Sequence, residues 1–392
     1  MKRRPDSRPM KALPILETKR TALENCVFCP KLCRSACPVS NAEPRETLTP
    51  WGKMSMAYFA AHGDVPAETS YARTAWACTG CYGCRELCDH RNDVTSALYL
   101  ARSAWQARGT APEQAARTLA QQGGREAETR AAIARLAEDA GARSDARVGL
   151  LVGCTYSRKA PDVAREAVEV AKALAGEDVA LIDACCGLPL LMAGDAPGFE
   201  RRAVAMAERL RGFERVAVVD AGCAAALRLH YRAVHVELEK PVSLLVEWAA
   251  REAARFARLD ARSGREVREA VRWHDPCQLG RGLGIYEAPR TVLTRILGEA
   301  PAEFDARRER ATCAGGGGLL PVTMPEQART IAEARLEEHA RAGGGRVVTG
   351  CASSLHALRR ASGAGHARAS AVEDIVTWMA RSLRAARTGP AA

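Results

Sequence analysis

The sequence has 392 residues, of which 47% are apolar and 26% are charged. This composition supports a folded core large enough for two or three domains and excludes a wholly disordered chain. No run of about 18 apolar residues occurs, which argues against a membrane-spanning helix, and the start of the chain lacks the apolar stretch of a signal peptide. We therefore expect a cytoplasmic protein.

The net charge of +11 comes mainly from arginine, because lysine supplies only 8 of the 57 basic residues. The arginines are spread along alanine-rich stretches, and aromatic residues make up only 5% of the chain. Both features argue against a nucleic-acid partner. A basic cluster in the first eleven residues leaves peripheral contact with a membrane as an option; it contains Lys2, Arg3, Arg4, Arg8 and Lys11.

Eight of the fifteen cysteines form two compact runs, which are Cys26, Cys29, Cys33 and Cys37, and Cys78, Cys81, Cys84 and Cys88. Three thiolates from one short turn, together with a fourth, are the ligands that a 4Fe-4S cluster needs. The two runs therefore predict two 4Fe-4S clusters and a role in electron transfer. Two structural zinc sites are the alternative, although these usually use two separated Cys-x-x-Cys pairs. The tight spacing and odd cysteine count argue against disulfides.

The composition changes twice along the chain. Residues 1–108 contain both cysteine runs and a short predicted helix at 54–61, and residues 109–146 have the Ala-, Arg- and Glu-rich composition of a helical connector. After residue 147, apolar strands alternate with amphipathic helices, which is typical of a parallel sheet covered by helices. Strands are predicted at 147–153, 178–183, 215–220, 271–274 and 346–349.

The seven remaining cysteines form two sets with similar spacing, which are Cys154, Cys185, Cys186 and Cys223, and Cys277, Cys313 and Cys351. Successive intervals are 32 and 37 residues from Cys154 through Cys186 to Cys223, and 36 and 38 residues in the second set. We infer an internal duplication, with one α/β repeat at 147–260, a second at 261–392, and both sets facing one cleft. These thiols are candidate additional metal ligands or reactive groups, and buried core cysteines are the alternative.

Four consecutive glycines occupy residues 315–318. No Lys-Ser or Lys-Thr pair follows them, so they do not match a phosphate-binding P-loop. Glycine also allows backbone to approach a neighbouring group closely. We expect a tight turn here that passes close to a cluster or a substrate.

These motifs resemble the cysteine-rich CCG family of iron-sulfur proteins. The two compact runs resemble the dicluster module of heterodisulfide reductase, glycolate oxidase and lactate-utilisation iron-sulfur subunits. Residues 49–54 lie where those proteins carry a Ser-Pro-Arg-Gly-Arg-like linker. The resemblance implies an α+β multidomain fold, with an N-terminal all-α dicluster ferredoxin-like domain followed by a duplicated α/β pair of CCG domains, each with a parallel sheet.

Likeness to two-cluster ferredoxins implies that the last cysteine of each run serves the other cluster. Cluster 1 would be held by Cys26, Cys29, Cys33 and Cys88, and cluster 2 by Cys78, Cys81, Cys84 and Cys37. The repeats depart from the family pattern of five cysteines each, because Ala226, Ala314 and Ser354 replace three of them. A further cluster in the C-terminal half therefore stays an open option.

The resemblance implies an oxidoreductase subunit that carries electrons from a flavoprotein dehydrogenase of a 2-hydroxy acid or similar substrate to a quinone or another redox protein. The chain has no standard nicotinamide-binding motif, which is consistent with substrate oxidation by a partner. The sequence assigns no catalytic residue. A heterodisulfide-reductase-like catalytic subunit is the first alternative, and a non-enzymatic metal-binding interaction protein is the second.

Overall fold

A computed structural model describes residues 15–66, 68–259, 270–363 and 371–388. The basic N-terminal cluster and the predicted boundary between residues 260 and 261 lie outside these ranges. The described chain forms a helical N-terminal region followed by two α/β units with parallel sheets, which confirms the predicted fold class. Among the described helices, none combines the length and apolar character needed to cross a membrane.

The N-terminal region is built from six helices, which are α1 (Leu16–Val27), α2 (Pro38–Ala42), α3 (Pro50–His62), α4 (Thr69–Trp76), α5 (Gly83–Glu86) and α6 (Val94–Ala107). The predicted helix at 54–61 corresponds to α3, which begins earlier, at Pro50. Its start is set by the Thr49 side chain, which accepts a hydrogen bond from the Gly52 amide, and by Pro50, which fits the first turn. The helices enclose a core around Trp76 and Trp105. Two connector helices follow, α7 (Glu113–Ala120) and α8 (Gln122–Asp139).

The first repeat contains four parallel strands, which are β1 (Val148–Leu151), β2 (Val179–Leu181), β3 (Arg215–Val218) and β4 (Val242–Leu244), in the order β2-β1-β3-β4. The first three correspond to predicted strands and are shorter than predicted at most ends. Seven helices cover the sheet, which are α9 (Cys154–Lys159), α10 (Pro161–Ala175), α11 (Leu188–Ala193), α12 (Ala196–Leu210), α13 (Ala221–Ala225), α14 (Tyr231–Ala233) and α15 (Leu245–Arg251).

The second repeat has the same strand order, β6-β5-β7-β8, formed by β5 (Val271–Trp273), β6 (Ala302–Glu303), β7 (Arg346–Thr349) and β8 (Ala371–Asp374). Its helices are α16 (Glu287–Leu297), α17 (Leu320–Thr323), α18 (Pro325–Arg341), α19 (Ala352–Ser362) and α20 (Ile375–Thr388). The equal topology supports the inferred duplication. β7 has the predicted bounds, whereas β6 and β8 were not predicted.

The two repeats pack against each other reciprocally. Helix α10 of the first repeat contacts α20, and its equivalent in the second repeat, α16, contacts α15. The last helix of each repeat thus covers the first long helix of the other, as expected for a pseudo-twofold pair. One hydrophobic core runs through both sheets.

The helical region docks on both repeats. Cys37 and Val39 share a small apolar cluster with Leu320 and Ile331 of the second repeat. Helix α6 contacts α11 of the first repeat. The cysteine runs therefore face the α/β pair at close range.

Candidate metal centre

The first thiol group combines cysteines from both runs: Cys26, Cys29, Cys33 and Cys88. The electrostatic neighbours of Cys26 include the thiols of Cys29, Cys33 and Cys88, and Cys33 also interacts with Cys29 and Cys88. Burial is the main cause that raises the pKa of Cys26 to about 12 and that of Cys33 to about 11. Cys29, Cys33 and Cys88 are only half-buried, so this group lies near the surface.

The second thiol group consists of Cys37, Cys78, Cys81 and Cys84. The pKa of Cys84 is raised well above its usual value, first by burial and then by the thiols of Cys81, Cys78 and Cys37. Cys37, the last cysteine of the first run, therefore lies with the thiols of the second run. Cys37 and Cys81 are buried, at 7% and 8% exposure, which places this group deeper than the first.

Hydrogen-bond donors point at sulfur in both groups. The Asn92 side-chain amide donates to the Cys26 sulfur at 3.0 Å. Backbone N–H groups of Lys31 and Gly80 donate to Cys29 at 3.2 Å and to Cys78 at 3.4 Å. Donors of this kind stabilise thiolate over thiol and orient it for metal binding.

Two buried cations lie beside the second thiol group. Lys53 is 2% exposed and its ammonium group donates to the Cys37 sulfur at 3.2 Å. Arg102 is fully buried and donates to the carbonyl oxygen of Cys78 at 2.8 Å. A buried positive charge is costly unless negative charge is close by. Four thiolates around a 4Fe-4S cluster would supply it, so these residues and the all-sulfur donor sets fit such clusters.

The described thiols are near one another without forming a closed cage. Within the four described ranges, no three His, Cys, Asp or Glu side chains form a group that could hold a metal ion. All fifteen cysteines are free. The ligand assignment for the two clusters thus stays a prediction, because Cys33 also interacts with Cys37 and Cys84 of the second group.

The cysteines of the first repeat form a chain of thiol hydrogen bonds. Cys154 contacts Cys185, Cys185 contacts Cys186, and Cys186 contacts Cys223. The Gly187 amide donates to the Cys185 sulfur at 3.4 Å. Because the strands are parallel, the loops after β1, β2 and β3 meet at one sheet edge and bring these residues together. All four predicted candidates of this repeat are therefore adjacent.

The cysteines of the second repeat separate into two places. Cys313 is hydrogen-bonded to Cys277 and to Cys81 of the second thiol group. Cys351 instead donates its thiol to Asp220 of the first repeat, and its sulfur accepts hydrogen bonds from the region of Ser353 and Ser354. The expectation that both cysteine sets face one cleft is wrong for Cys277 and Cys313, which lie against the helical region, whereas Cys351 faces the first repeat.

A cavity of about 560 Å³ lies between the repeats and the connector. Cys154 and Cys185 line it, whereas the cysteines of the second repeat do not. Its wall also includes the cationic side chains of Arg158, Lys159 and Arg360. The cavity can therefore admit an anionic molecule to two of the first-repeat thiols.

The four glycines at 315–318 lie where the second repeat meets the helical region. A Cβ atom on Gly318 would lie 2.0 Å from the Cys78 carbonyl oxygen, and one on Gly317 would lie 2.5 Å from that of Thr79. The turn thus passes close to the backbone of the second cysteine run, and its proximity to a cluster stays a prediction. Sequence reasoning missed Lys53, Asn92 and Arg102; among these three, the sequence signalled only Lys53, which falls in the linker at 49–54.

Comparison with known protein families agrees with this architecture. The 4Fe-4S dicluster domain matches residues 22–92, and the cysteine-rich CCG domain matches twice, at residues 148–228 and 271–359. The chain therefore combines a region that matches the 4Fe-4S dicluster domain with two regions that match the cysteine-rich CCG domain. This confirms the resemblance drawn from the cysteine motifs.

Two curated relatives are components of reductases. One, from the fumarate reductase (CoM/CoB) of Methanothermobacter marburgensis, is 28% identical over 330 residues, which cover 82% of this chain and 64% of the relative. The other, from the dihydromethanophenazine:CoB–CoM heterodisulfide reductase of Methanosarcina mazei, is 31% identical over 160 residues, covering 39% of this chain and 38% of the relative. The chain thus spans less than two thirds of these relatives. It is related to iron-sulfur subunits of reductases.

Proposed function

We propose that this protein is the iron-sulfur electron-transfer subunit of an oxidoreductase. The observation that carries the proposal is the pair of four-thiol groups, the first with one buried cysteine and the second with two, next to the CCG pair. When bound, two 4Fe-4S clusters supply one-electron transfer between a surface and the interior. The protein's own residues fix the positions of the thiols and balance their charge.

The proposed ligands are Cys26, Cys29, Cys33 and Cys88 for cluster 1, and Cys78, Cys81, Cys84 and Cys37 for cluster 2. The electrostatic contacts within each thiol group support this crossed assignment. Asn92 would orient Cys26, and Lys53 would compensate negative charge at Cys37.

Replacement of one cysteine from each crossed pair tests the assignment. Cys88→Ser should remove the EPR signal of cluster 1 and about four irons per chain, although Cys88 belongs to the second run. Cys37→Ser should remove cluster 2 in the same way. If Cys88→Ser instead removed the cluster held by Cys78, Cys81 and Cys84, the crossed assignment would fail. Zinc without sulfide in the wild type would favour the non-enzymatic alternative.

The electron donor in this proposal is a flavoprotein dehydrogenase that oxidises a 2-hydroxy acid or a similar substrate, and the acceptor is a quinone or another redox protein. Exposed apolar side chains border the first thiol group, with Phe28 at 76%, Leu32 at 66% and Leu87 at 41% exposure. Such a patch suits a protein contact next to a redox centre. We further propose a cytoplasmic protein, peripheral to the membrane where a quinone is the acceptor, since closely spaced metal-ligating cysteines suit a reducing compartment.

Leu32→Glu tests the partner contact. With a flavoprotein dehydrogenase and its 2-hydroxy acid as electron source, the variant should slow cluster reduction in stopped-flow absorbance, while dithionite still reduces both clusters. Val204→Glu is the matched control, because Val204 is 56% exposed on the first repeat. Equal rates for both variants would place the partner elsewhere.

A heterodisulfide-reductase-like catalytic role is the second candidate, favoured by the first-repeat thiols and the cationic cavity beside them. In that case Cys154, Cys185, Cys186 and Cys223 would hold a further cluster. About twelve irons per chain, falling to about eight in Cys186→Ser, would support it. About eight irons per chain in both proteins would exclude the further cluster and support only the electron-relay role.

A further inference from the structure

Three thiols meet where the helical region docks on the second repeat. The Cys313 thiol lies next to that of Cys277 on one side and that of Cys81 on the other. Cys81 is a proposed ligand of cluster 2, whereas Cys277 and Cys313 have no place in either proposed ligand set. The two extra thiols thus lie directly beside a proposed redox centre.

The backbone around these thiols fixes their positions. The Gln278 side chain, next to Cys277, donates to the carbonyl oxygen of Gly80 at 2.9 Å. Arg281 donates to the carbonyl oxygen of Cys81 at 2.6 Å. The Gly315 amide donates to the Cys313 sulfur at 3.3 Å. The first two contacts join the helical region to the second repeat, and the third orients the Cys313 sulfur. The contact between the thiols therefore depends on the docking of these two domains.

The remaining repeat-two residues do not complete a ligand set here. Ala314 and Ser354 stand at two cysteine positions of the CCG pattern. The Cys351 thiol instead contacts the carboxylate of Asp220 in the first repeat. Two thiols are therefore left in contact, too few for a cubane but sufficient for one disulfide.

A buried cation, Arg281, lies beside the three thiols. Arg281 is 6% exposed, and its guanidinium donates to the carbonyl oxygens of Cys81, Glu309 and Ala311. These acceptors carry no formal charge. The positive charge therefore acts on the nearby thiols of Cys81, Cys277 and Cys313. Contact with Cys277 and burial nevertheless raise the pKa of Cys313 to about 12, so the reduced residue is held as a thiol.

We propose that Cys277 and Cys313 form a redox-active dithiol that exchanges two electrons with the dicluster domain. Reduction breaks one sulfur–sulfur bond, takes up two electrons and two protons, and yields two thiols; oxidation reverses each change. The electrons pass one at a time through the 4Fe-4S clusters, so this inference rests on the proposed function. The dithiol would store two electrons, which the clusters deliver one at a time.

The test uses the full-length protein, purified anaerobically with its clusters and equilibrated over a series of redox potentials. Free thiols are alkylated after acid quenching, and peptides are identified by mass spectrometry. In reduced samples, Cys277 and Cys313 should both be alkylated. In oxidised samples, both should be protected in one cross-linked peptide, with a two-electron dependence on potential. Alkylation of both residues at every potential would overturn the proposal.

Reductive titration gives an independent readout. The oxidised wild type should take up about four electrons per chain, two for the clusters and two for the disulfide, whereas Cys313→Ser and Cys277→Ser should each take up about two. Cys351→Ser is the control and should resemble the wild type. Loss of about four irons in Cys313→Ser would show that Cys313 is a cluster ligand and would contradict the dithiol. Absence of cubane EPR signals from the wild type would refute the relay, while the cross-linked peptide would still report on the cysteine pair.

Discussion

The ammonium group of Lys53 donates a hydrogen bond of 3.2 Å to the sulfur of Cys37. Burial on its own would lower the pKa of Lys53, but the thiols of Cys37, Cys78 and Cys84 outweigh this effect and the pKa is raised. Lys53 thus remains a cation in the interior, next to three of the four proposed ligands of cluster 2. A buried charge at this place has consequences for the potential of that cluster.

Lys53→Met should make the potential of cluster 2 more negative. A reduced cluster carries one more negative charge, and loss of the cation disfavours it by on the order of 100 mV at an effective dielectric constant of about 20. EPR-monitored redox titration measures the shift. Lys31→Met is the control, since the Lys31 ammonium group pairs with Glu46 at 3.2 Å near the surface. Equal shifts in both variants would show that Lys53 has no special role.

Arg102→Met should destabilise the docked structure. The fully buried guanidinium donates to the carbonyl oxygens of Ala75, Cys78, Met192 and Gly318, which lie in the helical region and in both repeats. Leaving these acceptors unpaired should cost about 3 kcal/mol or more and lower the thermal midpoint by several degrees. Arg117→Met, at an exposed ion pair with Glu113, should change the midpoint little. Similar losses in both variants would contradict the role of Arg102.

Gly318→Ala should loosen the contact between the second repeat and the cysteine runs. The new Cβ would collide with the backbone of Cys78 and Thr79, and Gly318 has a φ of +62°, which side chains disfavour. We expect faster limited proteolysis and a loss of about 2 kcal/mol or more. Gly124→Ala in α8 is the control, because nothing lies within 4 Å of its Cβ position. Resistance of Gly318→Ala to limited proteolysis equal to that of Gly124→Ala would contradict the predicted collision.

Asp374 should make stability depend on pH. Burial raises its pKa from 3.8 to about 7, although the hydroxyl group of Tyr156 donates to it at 2.5 Å. Between these values the native state binds a proton that the unfolded state lacks. The free energy of unfolding therefore falls as pH rises from about 4 to about 7, and this contribution is constant above about 7.

Asp374→Asn removes this titration. The free energy of unfolding of the variant minus that of the wild type should be about 1 kcal/mol larger at about pH 8 than at about pH 6. Thermal midpoints of the two proteins at both pH values measure the difference. The exposed Asp139, in the control Asp139→Asn, should show no such change. A pH-independent difference between Asp374→Asn and the wild type would contradict the raised pKa.

Local patterns in the sequence predicted much of the fold. β7 has its predicted bounds because Arg346–Thr349 is a short apolar run flanked by glycines, and the strands before Cys154 and Cys223 follow the same logic. The short strands β4, β6 and β8 were missed, since two to four residues give too little periodicity. Their pairing with β3, β5 and β7 is fixed by each sheet as a whole.

The cysteine spacing by itself determined the class of protein, because most ligands of a 4Fe-4S cluster are closely spaced in the sequence. Only the tertiary structure decided which cysteines lie together. It placed Cys313 against Cys81, about 230 residues apart in the chain, and separated the thiol of Cys351 from those of Cys277 and Cys313. It also buried Lys53 beside Cys37. These contacts depend on the docking of three domains and on the balance of buried charges, which no local pattern of residues encodes.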